Sequence, residues 1–284
     1  MGGIIINEIG EMRAYAADKC NNGKSVGLVP TMGALHEGHL SLVRRSASEN
    51  AVTIVSVFVN PIQFDDPADF AAYPKTLGAD AAAAFKAGAD VVFAPDPSSM
   101  YPKGFSTFVD MTGISERLCG ASRASHFKGV LTVVSMLFGI CRPGRAYFGE
   151  KDAQQLAVVK KMAAELFMNV EVVGCPTVRE PDGLAMSSRN ARLSDDERIE
   201  ARRLFRALSE AKACFDAGNT DPESLIAVVR ASVETCPLAR IDYVELVDPG
   251  TFGPFGPGER ARAGDLLMLA VFIGAVRLID NVRL

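Results

Sequence analysis

Apolar positions along this chain switch repeatedly between two periodicities. Short, nearly unbroken runs at Ser25–Val29, Ala51–Val59, Ala89–Ala94, Arg145–Phe148 and Val170–Cys175 read as strands covered on both faces. Stretches with helical spacing lie between them. Ile9–Asn21 is carried by Ile9, Met12, Ala16 and Cys20 and ends at the turn pair Asn22-Gly23. A second helix starts at His39 and is carried by Leu40, Val43 and Ala47. Thr76–Ala87, His126–Cys141 (stopped by Pro143-Gly144) and Ala153–Leu166 follow. Phe105–Met111 alternates enough to predict another strand, and the acidic, proline-containing Asp65–Ala72 predicts a surface loop. Pro30 is expected to close the first strand, because proline cannot continue a sheet ladder. Repeated β–α–β units argue for an α/β fold with a doubly wound, Rossmann-like parallel sheet.

The texture changes after about Val178. Asp195-Asp196-Glu197 opens a charged amphipathic helix reaching about Phe215. Gly218 to Pro222 breaks it, and another helix runs to about Thr235. Strands are predicted at Ile241–Val247, Leu266–Ile273 and Val276–Val282, with the Gly/Pro-rich Pro249–Gly258 as a loop. Helices followed by neighbouring strands suggest a smaller α+β unit with an antiparallel sheet. The expected division is 1–177 and 178–284.

Composition narrows the function classes. The 284 residues suffice for two domains and a sizeable core. A net charge of −4 argues against a global basic face for nucleic acid. The six cysteines show no paired spacing and read as reduced, buried thiols. The run Ile4–Ile6 meets Asn7, Glu8 and Glu11 at once, unlike a signal-peptide core. No apolar run reaches the about 18 residues that a spanning helix needs. The expected location is cytoplasmic, with no membrane partner.

Candidate chemistry concentrates in Val29–Val43, V-P-T-M-G-A-L-H-E-G-H-L-S-L-V, which joins a buried strand to a helix. Gly33 and Gly38 bracket a loop that lets backbone approach a ligand. The free N–H groups and positive dipole end of the helix would face a polyanion there. Two of the chain's three histidines, His36 and His39, fall in this turn. They could both address one phosphate, or be cap residues satisfied by backbone. Metalloprotease zinc spacing, with histidines four apart, is absent. Asn60 and Gln63, just past a buried strand, could read a small polar substrate or cap a turn. Lys151 in Gly149-Glu150-Lys151-Asp152 could serve phosphate oxygens or be a solvated lysine. Arg189, after Met186, Ser187 and Ser188, adds a cation and two hydroxyls, or belongs to a linker before a helix capped by Ser194.

H-E-G-H after P-T-M-G-A-L is similar to the H-x-G-H signature of the nucleotidyltransferase superfamily that includes class I tRNA synthetases. M-S-S-R-N resembles the K-M-S-K-S loop of that superfamily. The longer string, with F-V-N-P-I-Q-F at Phe58–Phe64, G-E-K-D-A-Q-Q at Gly149–Gln155 and R-E-P-D-G-L-A-M-S-S-R-N at Arg179–Asn190, resembles the pantoate–β-alanine ligase (pantothenate synthetase) family. The resemblance covers nearly the whole chain. It implies a homodimeric, ATP-dependent, AMP-forming ligase acting on pantoate and β-alanine with Mg²⁺, by way of a pantoyl adenylate. ATP would be held by Pro30, Thr31, Met32, Gly33, Ala34, Leu35, His36, Glu37 and His39, and by Gly149, Glu150, Lys151 and Asp152. Val178, Met186, Ser187, Ser188 and Arg189 would complete the adenine and phosphate contacts. The catalytic set would be His36, His39 (the proton donor), Lys151, Ser187, Ser188 and Arg189. Gln63 and Gln155 would bracket pantoate with Asn60 in support, Arg123 and His126 would bind substrate, and Asp80 would help to hold Mg²⁺.

Two departures stand out. The family's R-P-G-H-F reads Arg123-Ala124-Ser125-His126-Phe127 here, and Lys75 stands where arginine is common. The first puts the roles of Arg123 and His126 in question. Two rival readings remain: a nucleotidyltransferase that leaves AMP on its product, and a non-catalytic nucleotide-binding regulator.

Overall fold

The structure, a computed structural model, describes residues 3–65 and 67–284. Strands β1 (Ile4–Ile6), β2 (Val26–Thr31), β3 (Val52–Val57), β4 (Val91–Phe93), β5 (Arg145–Gly149) and β6 (Glu171–Cys175) form one sheet in the order β1-β4-β3-β2-β5-β6. Every pairing in it is parallel, as a doubly wound α/β sheet requires. Helices α1 (Ile9–Asn21), α2 (Glu37–Glu49), α3 (Pro67–Ala71), α4 (Leu77–Lys86), α5 (Pro97–Met100), α6 (Cys119–Ser122), α7 (His126–Cys141) and α8 (Ala153–Glu165) connect and cover these strands. Helices α9 (Asp195–Ala201), α10 (Arg203–Asp216) and α11 (Pro222–Glu234) then precede an antiparallel sheet of β7 (Ala239–Val247), β8 (Leu266–Ile273) and β9 (Val276–Arg283).

Strand β8 explains why its sequence is an unbroken apolar run. Leu266, Met268 and Ala270 belong to the main core under the parallel sheet. Leu267, Leu269, Val271 and Ile273 join the core formed with α10 and α11. A period of two sends alternate residues to opposite faces, so a strand between two cores must be apolar at every position. At the start of α9, Ser194 Oγ accepts from the Glu197 backbone N–H at 3.3 Å while Glu197 Oε2 accepts from the Ser194 N–H at 2.8 Å, a reciprocal cap.

The structure differs from the sequence expectations at five places. Ile4–Ile6 is an edge strand that pairs with β4. Pro30 does not end β2, which continues to Thr31. Thr31 bonds toward β3, its carbonyl accepting from the Phe58 N–H. Successive residues of a strand point their backbone groups to opposite sides, so Pro30 faces β5, whose pairing with β2 stops at Leu28. Its missing N–H therefore breaks no ladder bond. Phe105–Met111 forms no strand: the Val109 N–H donates to Thr132 Oγ1 instead, and Phe105 stacks edge-on against Tyr101 and Phe108. Part of Asp65–Ala72 is helical as α3, while Asp66 lies outside the described residues. The charged helix expected from Asp195 is broken at Arg202 into α9 and α10.

One close approach fixes the geometry next to the cavity described below. The Gly129 carbonyl in α7 accepts from Asn60 Nδ2 at 3.0 Å, and a Cβ on Gly129 would sit 2.7 Å from the Gln63 backbone. Gly129→Ala is therefore expected to cost about 1–3 kcal/mol, as overpacking does. Urea denaturation would measure it, and an unchanged midpoint would mean that the Pro61–Gln63 turn yields freely.

Candidate active site

Strands β2 and β5 part company before either ends. Their pairing stops at Leu28 and Ala146, yet β2 runs to Thr31 and β5 to Gly149. From β2 the chain turns toward β3 and β4, and from β5 toward β6, so strand order reverses at this gap. Crevices at such reversals are where open α/β sheets bind ligands. A cavity of about 540 Å³ opens here. Its walls are the end of β2 and the start of α2, the Pro61–Gln63 turn after β3, the Gly149–Asp152 turn after β5, and the Val178 and Met186–Arg189 stretch.

The loop before α2 is held from outside the cavity. Gly33 takes φ +84°, a value that favours glycine. The Ala34 and Leu35 N–H groups donate to the Asp80 carboxylate at 3.1 and 2.8 Å, and Thr76 Oγ1 donates to it at 3.0 Å. The imidazoles of His36 and His39 then lie with centroids 4.0 Å apart. His39 Nδ1 accepts from the His36 backbone N–H at 3.4 Å, which leaves the proton of a neutral ring on Nε2. Burial and the neighbouring Lys151 ammonium lower the His36 pKa to about 4. Burial, His36 and Lys151 lower that of His39 to about 3. Lys151 is itself depressed by burial. Behind it, Asn281 Nδ2 in β9 donates to the carbonyls of Glu150 and Lys151 at 3.0 and 2.9 Å.

The far end of the cavity is an amide network. Tyr101 Oη donates to Asn60 Oδ1 at 2.8 Å, and Asn60 Nδ2 donates to Gln63 Oε1 at 3.1 Å. The Gln63 carbonyl accepts from Arg123 Nη2 and His126 Nδ1, both at 3.1 Å. His126 therefore carries its proton on Nδ1, and Nε2 accepts from Arg123 Nη1 at 3.3 Å. Burial and Arg123 lower the His126 pKa to about 3. Gln154 is committed to structure: its amide joins Cys119, Ile114 and Arg117 backbone groups at 3.1, 2.7 and 2.7 Å. Gln155 lines the cavity and makes no side-chain hydrogen bond among the described residues.

The sequence profile of the family described as Pantoate-beta-alanine ligase matches residues 4–283. The chain belongs to this family. Pantothenate synthetases of a Sulfurihydrogenibium species and of Heliobacterium modesticaldum are 48% and 50% identical to it, each match spanning 98% of this chain and 99% and 98% of the relative. The solved pantothenate synthetase of Thermus thermophilus superposes with TM-score 0.92 at 42% identity, covering 98% of each chain. The Francisella tularensis pantoate-beta-alanine ligase, solved with "Beta-gamma ATP and Beta-alanine", gives 0.81 at 34% identity over 99% of this chain and 97% of that one.

Of the residues that resemblance to pantoate–β-alanine ligases singled out, most meet in one cavity. Pro30, Thr31, Met32, His36, His39, Asn60, Gln63, Arg123, His126, Gly149, Lys151, Asp152, Gln155, Val178, Met186, Ser187, Ser188 and Arg189 all line it. Gly33, Ala34, Leu35, Glu37, Glu150 and Asp80 do not. Glu37 is exposed and paired with Arg44. Asp80, expected to hold Mg²⁺, is buried with its oxygens taken by the loop and Thr76, so that expectation is corrected. Lys151 is half-buried, not a surface lysine. Arg189 is not a free cation: Asp69 pairs with it at 3.2 Å and with Arg192 at 2.7 Å. Burial pushes the Asp69 carboxyl up, but the two arginines outweigh it and hold it below its ordinary value. Sequence reasoning missed Asp69 and Arg192, and also Asn281 and the bidentate Arg179–Asp280 pair at 2.6 and 3.0 Å. The only local signal was a polar Asp280-Asn281 pair inside an apolar strand.

All three histidines carry depressed pKa values. The unfolded chain therefore binds more protons than the folded one between the lowered values and the ordinary value near about 6.5. Stability is fully present above that value and falls as pH drops toward about 4 and then about 3. Imidazole NMR resonances of this three-histidine chain are expected to stay in the neutral form at pH 5. A ring that titrates near its ordinary value would show that its site is hydrated.

Proposed function

We propose that this ligase, which joins pantoate to β-alanine, is driven by ATP through a pantoyl adenylate and releases AMP. The observation that carries the reading is the make-up of one cavity. Lys151, His36, His39 and the Ser187–Arg189 turn gather near the carbonyl end of β5, Gln63 and Gln155 add uncharged donors, and no lining serine or cysteine is hydrogen-bonded to a histidine among the described residues. Phosphate-binding groups without an activated protein nucleophile favour direct attack by the substrate carboxylate. The cavity volume of about 540 Å³ falls in the usual range of ligand sites, about 300–1,000 Å³. The solved Francisella relative carries an ATP compound and β-alanine by its own description, which supports ATP here.

In this reading Gln63 and Gln155 orient pantoate, with Asn60, Arg123 and His126 fixing Gln63. A pantoate carboxylate oxygen attacks the α-phosphorus, and the bond to the pyrophosphate oxygen breaks with its electron pair. The Lys151 ammonium, the N–H of neutral His39 and the Arg189 guanidinium donate to oxygens that gain charge. The amine of β-alanine then attacks the acyl carbon and AMP leaves. Mg²⁺ usually binds through one or two carboxylates plus substrate phosphates. Asp65, Asp69, Asp242 and Asp280 are each paired with arginine. Asp152 has no such pair among the described residues and is exposed, so it suits the metal better than Asp80. Bound there, Mg²⁺ would offset phosphate charge.

The same proposal divides the chain at 177/178, with the smaller part acting as a lid that keeps water from the adenylate. Its support is that Met186–Arg189 lines the cavity and reaches Asp69 in α3. A cytoplasmic location fits six cysteines without a disulfide and no helix long and apolar enough to cross a membrane among the described residues.

Pyrophosphate exchange into ATP should require pantoate and Mg²⁺ but not β-alanine, and carboxylate-¹⁸O pantoate should pass one label to AMP. ADP as product, or unlabelled AMP, would refute the adenylate. Lys151→Ala should lose roughly 10²–10³ in turnover, as when one oxyanion donor is removed. Its melting temperature should hold or rise, since burial disfavours that charge. Near-normal turnover would remove Lys151 from the mechanism.

A homodimer is proposed as well, with the larger part supplying the interface. The larger part exposes several apolar side chains, among them Ile4, Ile5, Phe108, Leu166 and Phe167, that a second copy could cover. Sedimentation should give twice the chain mass, and a monomer at micromolar concentration would exclude it.

A further inference from the structure

Behind the Gly149–Asp152 turn lies a second cavity, of about 810 Å³, that the ligase chemistry does not use. Two helix faces build it. Helix α8 presents Ala153, Leu156, Ala157 and Lys160, and α10 presents Phe205, Ser209 and Lys212. These spacings of three and four put each set on one face of its helix. The α8 face runs from apolar residues to Lys160, the α10 face from Phe205 past Ser209 to Lys212, and the buried Phe252 adds to the apolar lining. The lining holds five cations, Lys160, Lys161, Arg179, Lys212 and Arg283, against one carboxylate, Glu150. Lys161, Arg179 and Lys212 are paired with Glu165, Asp280 and Asp216. Lys160 and Arg283 have no carboxylate partner among the described residues.

We infer that this groove is a regulatory binding site for an organic phosphate with an apolar or aromatic body. The apolar faces would cover the body, and Lys160 and Arg283 would take the phosphate. A fully apolar occupant would gain nothing from those two exposed cations, and inorganic phosphate alone would leave the half-buried Ala157 and Phe205 uncovered.

The groove is coupled to the catalytic cavity by shared structure. Ala153 and Thr177 line both. Asn281, in the groove lining, holds the carbonyls of Glu150 and Lys151. Arg179, also in the lining, pairs with Asp280 on the catalytic side and stacks on Phe205, 3.7 Å from its ring centre. An anion in the groove meets Glu150 as a like charge, and the turn that yields carries Lys151. The regulatory half of the inference, a raised KM for ATP, rests on the ATP reading given above, whereas the binding half does not.

The experiment titrates the full-length protein with 1-naphthyl phosphate by calorimetry, with and without saturating ATP and Mg²⁺. Binding is expected in both conditions and to survive in His39→Ala. Lys160→Glu should weaken it about tenfold, the loss of one charge-assisted contact. Ser209→Trp, which fills the groove from α10, should abolish it, while both variants keep the wild-type kcat and melting temperature without the probe. Inorganic phosphate should bind far more weakly than the naphthyl compound. Probe binding that ATP displaces, or that both groove variants retain, would overturn the site. Binding with no change in the KM for ATP would overturn the regulation. A failure of the ligase reading would appear separately, as absent turnover in the wild type without any probe.

Discussion

Everything in the candidate active-site cavity depends on β2 and β5 ceasing to pair while both still run forward. Parallel strands bonded along their full length would fill that space with ladder hydrogen bonds. Because pairing stops at Leu28 and Ala146, the ends of the two strands diverge and their following segments face each other across a gap. Helix α2 with its histidines leaves from one strand and the Lys151 turn from the other. Pro30 suits this place because its missing donor points into the unpaired side. A residue with an N–H there would present an unmet donor to the cavity.

Around that gap the protein fixes charge before any substrate arrives. Asp80 spans the 33–35 loop, Asn281 holds the 149–152 turn from behind, and Arg123 with His126 grips the Gln63 carbonyl. Each clamp comes from an element distant in sequence. The imidazoles stay neutral because burial and nearby cations oppose their protonation. They can then donate hydrogen bonds without adding repulsion to Lys151. A site of fixed donors costs no reorganisation when charge develops on a phosphate. The 123–127 segment is tied down from outside: Ser125 donates to Asp65 at 2.7 Å, and Arg123 pairs with Asp65 at 3.4 Å.

The carboxyl-terminal strands are part of this preorganisation. Strand β9 brings Asp280 and Asn281 to the rear of the Lys151 turn, and β8 lies between the two cores. Burial raises the Asp280 carboxyl above its ordinary range, against the pull of Arg179. Removing that arginine would leave a buried charge without its partner, a costly state. The two sheets are thus joined by polar contacts beside the cavity and by a continuous apolar core.

Legible in the chain alone were the alternation of strands and helices, the parallel sheet and the antiparallel second sheet, while its resemblance to a family named well under half of the residues that line the cavity. Those features follow from local periodicity and from motifs whose residues are neighbours in the chain. His36, His39, Gln63 and Lys151 stood out because each sits just beyond a strand or within a turn that a parallel sheet directs to one edge, and Arg189 because M-S-S-R-N resembles a phosphate-binding loop. Tertiary structure decided which of them are free. Lys151 reads as a surface residue until its burial is seen, Arg189 as an unpaired cation until Asp69 meets it, and Asp80 as a metal ligand until the 34–35 backbone fills it. It also decided that Phe105–Met111, strand-like in pattern, finds no ladder, and that Ile4–Ile6 does. The physical reason is common to all of these. Burial, pairing and strand partnership depend on groups far apart in sequence, such as Asp69 with Arg189 and Asn281 with Glu150, and no local pattern records those meetings.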